Sequence, residues 1–285
     1  MTGGGVEGPL GPRSRRSCRR GVWLAAVAWQ FLAVTASAQL GAAIAPARIE
    51  ALVGPGARTT EVLSFSNTSA TALSVSVEVV DFDVAVDNGV LEKPSGTSPD
   101  TLAPYLRVTP LIAEVAPGQQ VFFRCSLRAP AEFAQLRAMI YFVAHPHVED
   151  TGGTKVVIVP RLGIPAYLQN PKARAGTLEV RSVSLQRATG SGEAVELDLD
   201  VVNTGERNIR PNGYLRVRAT DGSFDRAFAF NEGGEPVLPA HQRKWRMTFG
   251  PVPGGELSLR LRFTTSRNAS HQSDHTIAAA SPPSL

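Results

Sequence analysis

The amino-acid sequence predicts an all-β protein made of two tandem β-sandwiches, and three observations carry that expectation. Beyond residue 39, no run of ten or more residues shows the apolar spacing of an amphipathic helix. Short apolar segments recur instead, alternating or continuous, with Gly, Pro, Asn, Asp and Ser between them. At "NPKARAG" (residues 170–176) Pro, Gly and charge interrupt the recurrence, and a second set of strands begins immediately afterwards, as a linker between two domains would make it.

The first forty residues are of another kind. "RSRRSCRRG" carries five arginines, "VWLAAVAWQFLAV" is apolar and uncharged, and "TASAQ" supplies small residues. Basic, apolar and small, in that order, predict a secretory signal over residues 1–38 with cleavage between Ala38 and Gln39. The competing reading is a retained anchor, because residues 21–38 are eighteen uncharged residues, at the lower edge of spanning length. Of the 29 basic and 25 acidic side chains, this leader holds five arginines and Glu7. The exported remainder is therefore balanced in charge, and the +4 of the whole chain gives no argument for nucleic acid or a membrane surface as partner.

Residues 39–170 form the first predicted domain. "ARIEALV", the turn "GPGAR", "TTEVLSFSN" and "ALSVSVEVVDFDV" open it, the last with Leu73, Val75, Val77 and Val79 on one face. "VDNGVLEKPSGTSPDTLA" (residues 86–103) is rich in turn formers and reads as a long polar loop. "YLRVTP", "QQVFFRCSLRA", "LRAMIYFVAHP" and "TKVVIVPRLGIPAYLQ" complete about seven strands, the number of one immunoglobulin-like sandwich. Residues 171–266 give about six more, in "TLEVRSVSLQ", "AVELDLDVVNTG", "GYLRVRATD", "DRAFAFN", "HQRKWRMTFG" and "ELSLRLRFTTS", hence a second immunoglobulin-like sandwich. Residues 267–285 show no strand period and read as a disordered tail.

Chemistry-bearing constellations are sparse. There is no GxSxG, no Gly-rich phosphate loop and no HExxH. His145 and His147, two apart on a strand, could share a face, but no third ligand stands near them, so no metal site and no cofactor is expected. Asp81 and Asp83 flank Phe82 with the same spacing, and read as a solvated strand face rather than an acid/base pair. Cys18 falls in the leader, which leaves Cys125 without a disulfide partner, and "VFFRCSL" makes it a small buried residue. No catalytic residue and no small-molecule substrate is expected, and the protein reads as a non-enzyme.

One block is more specific. In "TPLIAEVAPGQQVFFR" (residues 109–124), Thr109-Pro110, Pro117-Gly118 and Arg124 stand at the spacing of the "TPP…LEPG" block that precedes an Arg-ended strand in the periplasmic chaperones of pilus assembly, with Leu111 at the second proline. Upstream, Arg48 and Asn67 occupy the places of the Arg that opens and the Asn that closes that family's first hairpin. The sequence resembles a divergent member of that family over residues 44–170, and over the second domain by architecture. The resemblance implies a periplasmic location, pilin-like secreted subunits as partners together with an outer-membrane usher, and binding by β-strand addition with capture of a terminal carboxylate. Carried over position by position, "KVVIVPRLG" is the donor strand, Val156 and Ile158 supply the inserted side chains, and Arg48 is one carboxylate anchor. The family's second anchor, a Lys, falls on Gly163, which leaves Arg161, two positions earlier on the same face, as its replacement. Pro160 and Pro165 each lack a ladder donor. Gly163, Pro160 and the missing Lys motivate the alternative, a structural or adhesive surface module on the same scaffold.

Overall fold

The computed structural model describes residues 41–87, 89–146, 157–188 and 194–277. The leader expected at residues 1–38, with its cleavage site, lies outside the described residues. Short extended segments fold into two sandwiches because their apolar residues alternate, so each strand has one side to bury.

In the first sandwich one sheet has the order β1 (Ala42–Ala45), β3 (Arg58–Asn67), β8 (Gln120–Arg128), β6 (Leu106–Thr109). The facing sheet runs β2 (Ile49–Leu52), β10 (Arg161–Gln169), β9 (Gln135–Pro146), β4 (Leu73–Val84), β5 (Val90–Lys93), with β7 (Ile112–Val115) also paired to β4. The first strand divides in two because "AIAPARI" changes sheets: β1 pairs β3 antiparallel, and β2 pairs β10 in parallel. Leu63, Phe65, Phe123, Cys125, Ile140, Phe142, Ile164 and Leu168 fill the space between the sheets, with the Phe142 ring 4.9 Å from Phe123 and 6.2 Å from Phe65. Cys125 is wholly buried, and that burial pushes its thiol up to about 12, an inert packing residue.

In the second sandwich β11 (Leu178–Arg187), β12 (Val195–Asn203) and β15 (Gln242–Phe249) face β14 (Asp225–Phe230), β13 (Gly213–Ala219), β16 (Leu257–Ser266) and β17 (Ala269–Ile277). Strand β12 alternates buried and half-buried along its whole length, as "VELDLDVVN" requires.

A buried asparagine ties each sandwich at the same kind of corner. Asn67 donates through Nδ2 to Val115 O (2.9 Å) and Thr71 O (2.8 Å), and its Oδ1 accepts from Ser69 N (2.9 Å). Its backbone is pinned to the Pro117-Gly118 turn through Gly118 N to Asn67 O, 2.9 Å, with Gly118 at φ +71°. Asn203 repeats the device, donating to Val237 O and Arg207 O at 2.9 Å each. The distinctive block at residues 109–124 is thus an edge strand, a glycine turn and a core strand stapled by Asn67.

Three expectations are corrected. Residues 269–277 are strand β17, not disordered tail: polar residues alternate in it too, and β16 supplies the ladder. The loop at 86–103 contains strand β5, which pairs with residues 81–84. Asp81 is fully buried rather than solvated, because Ser98 N (2.8 Å) and Thr101 Oγ1 (2.6 Å) donate to its carboxylate from a distant segment.

Strand β9 is buried on both faces: on its outer face Arg137 is covered by Phe82, Asp83 and Asp100, and Met139 meets Leu238 of the second sandwich. Phe82, Met139 and Tyr167 of the first sandwich close over Leu238 of the second. The segment 170–176 is wound tightly against residues 205–209: a Cβ at Gly176 would stand 2.6 Å from Arg207 O, and one at Gly205 would stand 2.2 Å from Ala175 O.

Candidate functional site

The change of sheets between β1 and β2 leaves part of an edge open. The ladder from β2 to β10 begins at Ile49 opposite Ala166 and runs to Leu52 opposite Gln169. Among the described residues, 161–165 of β10 are paired on the β9 side only. Pro160 O accepts from Ala144 N of β9, and Gln169 O accepts from Val53 N on the β2 side. Peptide groups alternate in direction along a strand, so Arg161 and Gly163 turn their N–H and C=O to the open side. The missing N–H of Pro160 belongs to the β9 side and takes nothing from that edge. Upstream of it Val157, Ile158 and Val159 are exposed, Ile158 to 75%.

Arg48 stands where the open edge stops. It immediately precedes β2, level with Pro165 by the parallel register, and its side chain is 46% exposed, 4.0 Å from Glu50 Oε1. A second arginine, from the other sandwich, meets the same carboxylate. Arg210 Nε donates to Glu50 Oε1 at 2.6 Å and Nη1 to Gly234 O. Its guanidinium carbon lies 5.5 Å from the centre of the Tyr167 ring, and its Nη2 is buried without a partner. Arg210 is only 17% exposed. A Cβ on Gly234 would lie 3.9 Å from Arg48 Nη1, so that glycine borders both arginines. The cleft between the sandwiches therefore holds two guanidinium groups around one internal carboxylate, with Asn208 Nδ2 donating to it as well at 3.4 Å.

The other expected positions lie elsewhere. Arg161 sits four residues before Pro165, roughly 13 Å along the strand from the level of Arg48. Its Nη1 donates to Glu92 Oε1 at 2.7 Å, Nη2 to Glu78 Oε2 at 3.2 Å, and its guanidinium carbon stacks 3.4 Å from the Tyr141 ring centre. The hydrogen bond from Arg161 holds the Glu92 carboxyl below its ordinary range, while burial, with Glu92 beside it, pushes the Tyr141 hydroxyl up to about 12. Arg48 and Arg161 thus do not form a pair. Gly163 is required by the same ring, because a Cβ there would come 2.7 Å from Tyr141 Cε1. Val156 and His147 lie outside the described residues, and Ile158 precedes β10 rather than standing in it.

Arg210 escaped the sequence reading because nothing in "NIRPNG" marks it, and its partner Glu50 is 160 positions away. Its only local signal is the Arg-Pro step ahead of β13.

A second ionic cluster fixes the junction. Asp83 Oδ1 is 2.6 Å from His241 Nε2 of the second sandwich, and its Oδ2 accepts from Lys93 Nζ at 3.1 Å. Arg137, 5% exposed, donates to Phe82 O at 3.0 Å, to Asp83 at 3.3 Å and to Asp100. Burial works against the Asp83 charge, and bonds from Val84 N, Lys93, His241 and Arg137 more than offset it, so the carboxyl titrates below its ordinary range. Asp81 and Asp83 are thereby structural acids.

No protein-family model and no curated protein matches the chain. Solved structures do. The chain is similar to solved chaperones, a class 5 fimbriae chaperone among them. The chaperone DraB of E. coli is 16% identical, over 82% of this chain and 96% of its own, with a TM-score of 0.40. The SafA pilin and SafB chaperone complex of Salmonella enterica gives 15% identity over 83% and 96%, with a TM-score of 0.41. The CupB2 chaperone of Pseudomonas aeruginosa gives 12% over 82% and 100%, with a TM-score of 0.37.

Proposed function

We propose that this protein is a periplasmic chaperone that binds secreted, pilin-like subunits by strand addition at the open half edge of β10, with the subunit's terminal carboxylate received in the cleft at Arg48. The observation that carries the reading is the register. A strand laid in parallel along residues 161–163 continues the ladder that β2 occupies from Ala166 onward, so its C-terminus meets the start of β2, where Arg48 stands. The free N–H and C=O of Arg161 and Gly163 gain partners, and the carboxylate gains charge-assisted bonds. The apolar residues ahead of β10, Val156 and Ile158 with their neighbours, are the side chains offered to an incomplete subunit core.

Arg210, rather than Arg161, is the second anchor in this reading. It shares Glu50 with Arg48, and an incoming carboxylate competes with Glu50 for both. Arg161 is instead engaged by Glu92, Glu78 and Tyr141. The alternative of a surface module that donates no strand draws on that same engagement.

Affinity capture from a periplasmic extract, with mass spectrometry of what is retained, tests the reading. Wild-type protein is expected to retain small β-rich secreted subunits that Arg48→Ala does not. Retention of the same proteins by both, or of none, sinks the chaperone reading and favours the surface module.

A further inference from the structure

Strand β17 closes the edge of the second sandwich with an unusual inner face. Its inward residues His271, Ser273, His275 and Ile277 stand opposite Phe263, Leu261, Leu259 and Leu257 of β16, all four of them core residues. Three of the four inward positions are therefore polar and lie over an apolar row. The His271 ring centre is 5.1 Å from that of Phe263, and the Nε2 atoms of His271 and His275, with Ser273 Oγ, are buried without a hydrogen-bond partner.

A neutral imidazole tolerates that place: with its proton on Nδ1, it turns only a bare lone pair into the apolar layer. A protonated one does not, because the Nε2–H then needs an acceptor and finds none, at the full desolvation cost of a charged donor. Among the described residues no acid faces His271 from the inner layer, while Asp274 on β17 attracts a charge on His275. The inward residues of β16 are apolar, and those of β11, packed across from it, are Leu178, Val180, Val183, Leu185 and Arg187, whose guanidinium donates to Pro253 O and Gly255 O. Asp274, the acid on β17 itself, points outward and is held by Arg260 Nε at 2.7 Å. A charge on His275, four positions along the same face, also disfavours one on His271.

We propose that β17 is an acid-released cover strand: with His271 neutral it closes the second sandwich, and protonation of His271 detaches it, uncovering Leu259, Leu261, Phe263 and the backbone edge of β16. Burial, with His275 adding to it, holds the His271 ring below the ordinary histidine value of 6.5. A depressed folded value means that the released state binds the proton more readily. Docking of β17 is then at full strength above the ordinary value, and weakens as pH falls through the folded one. The outer-face pair Asp274–Arg260 remains charged over that range, and adds little at an exposed site. The released edge is an unpaired strand of the kind that takes up another strand.

Hydrogen exchange of the β17 amides in the full chain, divided by the intrinsic rate at each pH, reads the docking directly. From about pH 7.5 to about pH 5.5, β17 should lose at least about tenfold in protection while β12 keeps its own. The double variant His271→Phe, His275→Leu should show no such loss. Equal protection of β17 at both pH values, or the same loss in the variant, overturns the proposal. Should the double variant not fold, His271→Phe alone takes its place, an absent or reduced loss supporting the proposal and an unchanged one overturning it.

Discussion

Glu50 of the first sandwich holds Arg210 of the second at 2.6 Å, and the same carboxylate oxygen is 4.0 Å from Arg48. In the proposed function an incoming carboxylate competes with this internal acid for both arginines. Glu50→Gln removes the competitor and leaves Arg210, with its buried Nη2, short of counter-charge. The expected result is a loss of about 1 kcal/mol in stability by urea unfolding, the pair being partly exposed, together with tighter binding of a carboxylate-ended strand.

Arg161→Ala should leave that binding unchanged. Its guanidinium serves Glu92, Glu78 and Tyr141 at the far end of the open edge, and exposed pairs of this kind contribute about 1 kcal/mol or less. Isothermal titration beside Arg48→Ala separates the two arginines, and a loss at Arg161 equal to that at Arg48 would restore the pair read from the sequence.

Asp83→Asn strikes the junction. It breaks the contact with His241 and leaves the buried Arg137 with Asp100 as its remaining carboxylate partner. A loss of about 2 kcal/mol is expected from denaturant midpoints. Because the Asp83 pKa is depressed in the fold, its contribution is present above the ordinary value of 3.8 and is lost as pH falls through the folded one. The variant should therefore match the wild type more closely in acid than at neutral pH.

Asn67→Ala removes the amide donor that Val115 O and Thr71 O share at the corner of the glycine turn; Thr71 O keeps Ser69 Oγ, so the cost is that of the lost bonds, about 0.5–1.5 kcal/mol each. Asn203→Ala should do the same in the second sandwich, where Arg207 O loses its amide donor while Val237 O keeps Ile209 N. Differential scanning calorimetry would detect both, and an unchanged melting temperature in either would remove the staple from this account.

The two sandwiches were legible because alternation survives in strands such as β12, where each buried position is Val, Leu or Asn. Strand β17 was not, since His, Ser and His on its inner face carry no apolar period and only the neighbouring β16 reveals the pairing. Asp81 looked solvated because the donors that satisfy it, Ser98 and Thr101, come from a segment that reads as loop. At the candidate site, Arg48 was named only by the resemblance of the first hairpin to that of the pilus-assembly chaperones. Arg210 was not, because its relation to Glu50 exists only once the sandwiches meet, and Arg161 was misplaced because its acids lie on β4 and β5.

The most direct test of the central claim is calorimetric titration of the protein with one synthetic strand of alternating apolar residues, prepared with a free C-terminal carboxylate and with a C-terminal amide. The account predicts that the free acid binds at least about tenfold tighter, as one charge-assisted contact requires, and that Arg48→Ala brings the two peptides to equal affinity. Equal affinity of both peptides for the wild-type protein would contradict it.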